Sequence, residues 1–338
     1  VTTTSTPVQP KPAIRRPPAR RLLAAPATRI FGVLLLLLVV FTALAPDSFL
    51  TGANLGNIAN DASILLVLAV GSTFVIITAG IDLSVGGVLV FSSVVSAEVM
   101  AHLAGAGVWA LLLGLVVAVL TGLVWGLLNG VLVAKARIPA LIVTLGTMGM
   151  SLGGALLVTG GVDVREVPLD LALYVGSGRI AGVPVLVVIS ACVAIVGGVV
   201  LAMTRFGRHT YAAGSNKEAL RRAGINTDRH LVKVYALAGL LSGLAGYLSV
   251  AQFATTTLNG HATDNLQTIA AVVIGGTSLF GGVGTIVGSV IGVFIPSVLQ
   301  NGFVVLGVQP FWQQVAVGAV LIVAVFLDQL RRRARDRG

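Results

Sequence analysis

Charge is what this sequence has least of. Only 10% of its 338 residues are Asp, Glu, Lys or Arg, against about 25% in an ordinary soluble domain. A surface so poor in charge cannot keep a globular chain in water, so a soluble enzyme is excluded. Cysteine is confined to Cys192, which rules out an internal disulfide and a thiolate metal site. Lying in an apolar run, it reads as a small packing residue. No Gly-Lys dipeptide occurs, so the chain carries no phosphate-binding loop of its own. There is no paired carboxylate set, and His209, His230 and His261 lack ligand spacing. Strands alternating at period two with aromatic girdles are missing too, which argues against an outer-membrane barrel.

What is present is apolar length. Hydrophobic residues make up 56% of the chain, and 42 residues are glycine. Runs of about 20 apolar residues suffice to cross a hydrocarbon core about 30 Å thick, and small residues let helices approach closely in lipid. Runs near 30–45, 57–79, 83–103, 107–134, 139–160, 184–204, 232–254, 266–280, 284–304 and 311–330 give about ten spans. The first, preceded by basic residues and ending in Ala43-Leu44-Ala45, has features of a signal peptide. Its 29-residue basic leader is long for one, which favours a retained helix. The organisation expected is a disordered basic tail at 1–28, a transmembrane domain at 29–331 and a basic tail at 332–338.

The net charge of +10 invites a nucleic-acid reading, but its distribution speaks against one. Twenty of the 22 Lys and Arg residues fall in the N-terminal tail, at Lys135 and Arg137, between Arg205 and Lys233, and in the C-terminal tail. Such clusters mark cytoplasmic segments. With an even number of spans both termini lie on that side, which places the chain as multi-pass in the cytoplasmic membrane. The turn near 280–284 should also be cytoplasmic, yet it is uncharged.

The longest charged stretch, 203–235, reads MTRFGRHTYAAGSNKEALRRAGINTDRHLVKVY. Its middle has good helix formers, with Ser215 or Asn216 placed to cap the start and Gly224 to stop it. A loop needed only for its charge has no use for a helix flanked by Gly214 and Gly224, so a docking element is expected. Two other stretches are interrupted. In IITAGIDLSVGG (76–87), Asp82 breaks an apolar region; an ionisable group at membrane depth suggests function, and Asp82 or Ser84 also suits a helix cap. VVIGGTSLFGGVG (272–284) is too glycine-rich for one plain helix and suggests a broken span. Gln252, Asn265 and Asn301 are polar residues that a hydrophilic solute could touch, although each also suits a helix–helix hydrogen bond. Glu98 and His102 share a helix face as a solvated pair or a proton relay. A faint repeat at a shift of 172 sets Gly71 on Gly243 and Ala79 on Ala251, with Asn129-Gly130 matched by Asn301-Gly302; the cations beside the first copy are absent beside the second, as for an inverted repeat.

Taken in order, 76–87, GRHTYAAGSNKEALRRAGIN (207–226) with VYALAGLLSGLAG (234–246), and VVIGGTSLFGGVGTIVGSVIG (272–292) resemble the permease subunit of ribose-type ABC importers, in the branched-chain amino acid/ribose permease superfamily. The resemblance runs from about residue 30 to 330; Ala79 stands where many members have glycine. It implies an all-α polytopic inverted-repeat permease that pairs with a second copy, here as a homodimer. Two cytoplasmic ATPase subunits would bind the ATP and Mg, so that this chain holds no cofactor and is not itself an enzyme. An extracytoplasmic solute-binding protein would deliver a monosaccharide. The coupling element would comprise Ser215, Asn216, Lys217, Glu218, Ala219, Leu220, Arg221, Arg222, Ala223, Gly224 and Ile225. The translocation pathway would draw on Asp82, Ser84, Gln252, Asn265 and Asn301. The competing reading is a self-contained transporter driven by protons or sodium through Asp82 or Glu98.

Overall fold

A computed structural model describes residues 26–309 other than Ala262, together with isolated positions between 312 and 326. The described chain is helical almost throughout. In order come α1 (Pro26–Leu44), α2 (Gly52–Ile77), α3 (Val85–His102), α4 (Val108–Ala134), α5 (Ala140–Thr159) and α6 (Val185–Met203). Then follow α7 (Arg205–Ser215), α8 (Lys217–Arg222), α9 (Thr227–Phe253), α10 (Asp264–Ile274) and α11 (Ile286–Val305). Among the described residues seven helices (α2 to α6, α9 and α11) are long and apolar enough to cross a membrane, while α10 and the apolar part of α1 are shorter. The span expected at 311–330 lies largely outside the described residues, as do most of the two tails. α1 starts at Pro26, inside the segment expected as tail, with proline in the first turn where its missing N–H is harmless.

Side-chain caps fix several helix starts. Thr51 accepts from Asn54 N at 3.2 Å, Asn226 from Arg229 N at 2.9 Å and Thr285 from Gly288 N at 3.0 Å. Between α5 and α6 a two-residue ladder, β1 (Arg179–Ile180) against β2 (Val183–Pro184), closes through Ala181 and Gly182. Both turn residues have positive φ, 50° and 84°, the hand that suits a tight hairpin.

α2 and α9 form the centre of the bundle. Both are apolar on nearly every face, and both are largely enclosed, whereas α4, α5 and α6 leave most of their surface uncovered. Cys192 belongs to that uncovered surface: it is exposed on α6 rather than packed inside, because α6 buries only a narrow stripe. α9 packs most extensively on α4. Their contact is backbone on backbone, since a Cβ on Gly239 would overlap the Gly122 carbonyl and one on Gly243 the Ala118 carbonyl. Lipid supplies no hydrophobic drive between helices, so close van der Waals contact has to hold this pair.

Two long helices each run into a break. α2 ends at Ile77 and the chain turns through 78–84 into α3; α9 ends at Phe253 and turns through 254–263 into α10. The matched Asn-Gly pairs sit at opposite ends of α9. Gly130 lies against Val232 near its start, while Asn301 shares a cavity with Gln252 near its finish. That placement agrees with halves of opposite sense. The break expected within 272–284 is also present, as α10 stops at Ile274 and no helix resumes until Ile286.

Substituting Gly239→Val should lower the thermal unfolding midpoint in detergent, with a loss of about 1–3 kcal/mol from overpacking. Gly32→Ala, whose Cβ would meet nothing within 4 Å, should leave the midpoint unchanged or raise it slightly. Equal midpoints for both variants would contradict the backbone contact.

Candidate functional site

The basic loop folds into two helices separated by a break at Asn216. α7 is started by Thr204, whose hydroxyl accepts from Gly207 N at 3.3 Å. Asn216 separates it from α8 and accepts from Ala219 N at 2.9 Å, while Gly224, with φ +79°, ends the turn. Of the residues expected to form the coupling element, Ser215 closes α7, where its hydroxyl donates to Tyr211 O at 2.9 Å. Asn216, Lys217, Glu218, Ala219, Arg221, Arg222, Ala223 and Gly224 are exposed; Ile225 is half-buried, and Leu220 is the one buried side chain that seats α8.

The two arginines differ. Arg221 donates to Asp228 Oδ1 at 2.9 Å and to Thr227 Oγ1 at 3.0 Å, which bolts α8 to the first turn of α9. Arg222 reaches only the exposed Glu218, at 3.4 Å, a surface pair worth about 0–1 kcal/mol. A further tie joins α7 to α9, between Thr210 Oγ1 and His230 Nε2 at 3.1 Å.

Gly214 is not the loop glycine expected at the edge of a helix. It lies inside α7, and a Cβ there would overlap the Ile77 carbonyl and approach Gly282 N at 2.6 Å. Gly282 N in turn donates to Ile77 O at 2.8 Å. Tyr211, whose phenol is pushed up by burial and so keeps its proton, donates to Gly284 O at 2.7 Å. α7 therefore abuts the end of α2 at Ile77 and the broken stretch 275–285, at the point where the two join.

Within the first break Asp82 is 4% exposed. Its Oδ1 accepts from Ser84 N at 2.9 Å and from Ser84 Oγ at 2.6 Å. Ser84 occupies the N-cap position of α3 without a side-chain cap bond; Asp82 holds the turn instead. Asn129 Nδ2 donates to Ser84 Oγ at 2.8 Å, which ties the break to α4. Asn265, in the first turn of α10, reaches Leu83 O at 3.4 Å. Asp82, Ser84 and Asn265 thus gather at the start of α3.

Gln252 and Asn301 lie elsewhere. α9 is a rod about 40 Å long at 1.5 Å per residue, and Gln252 is at the end away from the basic helices. There a cavity of about 540 Å³ is lined by Asn60, Asp61, Arg179, Gln252, Phe253 and Asn301, among others. Gln252 Nε2 donates to Asp61 Oδ1 at 2.9 Å, and Asn301 exchanges amide hydrogen bonds with Asn54 at 2.8 and 2.9 Å. The five expected pathway residues therefore form two groups. Asp61 and Asn60 were missed by sequence reasoning; Asn54, Asn57 and Asp61 at helical spacing were the available signal.

Close by, His261 is fixed from both ring nitrogens, by Ser249 Oγ at 2.7 Å and Asp264 Oδ2 at 2.7 Å. The order resembles a hydrolytic triad, but Ser249 is 1% exposed, which leaves a substrate no access. Gly149-Met150-Ser151-Leu152-Gly153 has the spacing of a nucleophile elbow, yet it lies inside α5, where Ser151 Oγ donates to Met148 O at 3.0 Å; an elbow needs a strand–turn–helix junction. Glu98 and His102 are 4.0 Å apart, with His102 exposed and Glu98 half-buried.

Helices of membrane length, broken spans whose ends join, and an exposed basic helix pair seated on that junction define a polytopic membrane transport protein. The chain belongs to the family described as branched-chain amino acid transport system / permease component, whose model matches residues 54–325. It is 38% identical over 302 residues to the ribose import permease protein RbsC of Escherichia coli K12, covering 88% of this chain and 92% of that one. It is 36% identical over 301 residues to the D-allose transport system permease protein AlsC of the same organism, covering 89% and 90%. To the fructose import permease protein FrcC of Rhizobium meliloti it is 32% identical over 317 residues, covering 92% and 87%. No solved structure matches the chain.

The α7 junction is open to direct measurement. A Cβ at Gly282 would lie 3.4 Å from that of Ser215, close to disulfide range. In a Cys192→Ser background, Ser215→Cys with Gly282→Cys should cross-link on mild oxidation in most molecules, read by mass spectrometry of the linked peptides. Absence of the linked peptide would contradict this placement.

Proposed function

We propose that this chain is the membrane-spanning subunit of an importer for a monosaccharide, worked by separate ATPase subunits. One observation carries the reading: α7 and α8 stand exposed and basic on one side, while Gly214 touches the backbone of both broken spans on the other. A push on the exposed side moves the joint directly. A channel that opens by itself has no use for such a handle.

On this reading α8 seats in the ATPase, which binds ATP and Mg, and the closing of two ATPase subunits rocks two copies of the permease. The basic face is cytoplasmic, as are both termini, and the protein resides in the cytoplasmic membrane. The opposite end, with segments 160–184 and 254–263, meets a solute-binding protein that hands over the sugar. The relatives named for ribose, allose and fructose supply the substrate class.

The internal bonds refine which arginine faces the partner. Arg221 is bonded to Asp228 and Thr227, so it transmits force along α9; Arg222, bonded to exposed Glu218, is the freer of the two to meet an acidic surface. Replacing Arg222→Glu in the reconstituted importer should cut uptake of radiolabelled D-ribose at least tenfold. ATP hydrolysis should become independent of the binding protein, and membrane insertion should be unaffected. Wild-type uptake in that variant would defeat the handle.

A further inference from the structure

We propose that the cavity between α2, α9, α11 and the β1–β2 hairpin is a receiving site for the sugar within each permease copy. This deepens the sugar-import reading and rests on it. The cavity holds about 540 Å³, within the range of about 300–1,000 Å³ typical of small-molecule sites and ample for one monosaccharide.

Its chemistry selects the ligand class. Asp61 and Arg179 both line it, yet no ion pair joins them among the described residues. Each is held apart by its own bond: Asp61 by the Gln252 amide at 2.9 Å, Arg179 by Gly182 O at 3.3 Å. The carboxylate disfavours an anion, and the guanidinium disfavours a cation. A neutral polyol meets these demands together. Its hydroxyls donate to Asp61, its oxygens accept from Arg179, and its C–H face has the Phe253 ring, 47% exposed, to stack on.

Placement fits a receiving role. Gln252 and Phe253 end α9 and Arg179 opens the hairpin, so the cavity lies at the end remote from the basic helices, where the sugar would arrive. Gln252 and Asp61 also join α9 to α2, the two central helices, so an occupant touches the elements that lead to the α7 junction.

The test uses the full-length permease in nanodiscs, with neither ATPase nor binding protein, and equilibrium dialysis against labelled D-ribose, D-allose and D-fructose. Uptake by cells carrying the whole importer first shows which of the three is transported. Uptake of none defeats the functional reading and this inference with it. For a sugar that is taken up, saturable binding to the permease is expected at millimolar concentration. Asp61→Asn and Phe253→Ala should each weaken it at least tenfold, while Asp47→Asn, an exposed carboxylate outside the cavity, binds like wild type. Unfolding midpoints would confirm that the variants are folded, and the conservative Asp61→Asn guards against a Phe253→Ala chain that is not. Transport without saturable binding, or binding indifferent to both cavity variants, overturns the inference and leaves the import reading standing.

Discussion

The backbone of a chain in lipid has nowhere to hydrogen-bond except to itself, and this protein breaks its helices all the same. The bond from Gly282 N to Ile77 O is how two interruptions answer that constraint together. Each supplies what the other lacks, and the close approach of Gly214 leaves no room for water or lipid between them. Side chains finish the work: Asp82 and Ser84 close the first break on itself, Asn129 ties it to α4, and Tyr211 binds the second break from the basic helix pair. Irregular backbone inside a membrane protein is where motion is easiest, because no complete helical ladder has to be broken first. That places the irregular backbone of the fold directly beneath the basic helix pair.

The rest of the bundle is stiff by contrast. α9 and α4 meet carbonyl to glycine over Gly122, Gly126, Gly239 and Gly243, which allows almost no sliding without collision. α8 is riveted by Arg221 to the start of α9 rather than hung on a slack loop. The Ser249–His261–Asp264 clasp pins the turn 254–263 at the far end in the same manner. A rigid pair of central helices with a joint on one side and a clasp on the other suits a protein that changes shape by rocking, and it suits poorly one that relies on titration of a single carboxylate.

Much of this could be read from residue order alone. Long apolar runs gave the placement of the seven membrane-length helices, because lipid imposes one rule on every stretch. The α8 helix was legible through Asn216 and Gly224, since caps are local chemistry. Contacts were not legible. Gly214 looked like punctuation and is a point of contact; Cys192 looked buried and faces outward. Asn301 suited either a solute or a helix–helix hydrogen bond, and its partner Asn54 could not be named from the sequence. Asp61 was overlooked although it shares a helix start with Asn54 and Asn57, because only the fold brings it to Gln252. In each case the missing information was the identity of the neighbour on another helix.

The uninterrupted course of α9 has a geometric corollary. A straight rod about 40 Å long magnifies rotation: one degree of tilt about its basic end displaces its other end by roughly 0.7 Å. Gln252 stands at that other end with an amide bond of 2.9 Å to Asp61, and a few tenths of an ångström separate a good hydrogen bond from a poor one. A swing of only a degree or two would therefore retune the grip at Gln252, so the far rim can register events at the near face with no relay of side chains between.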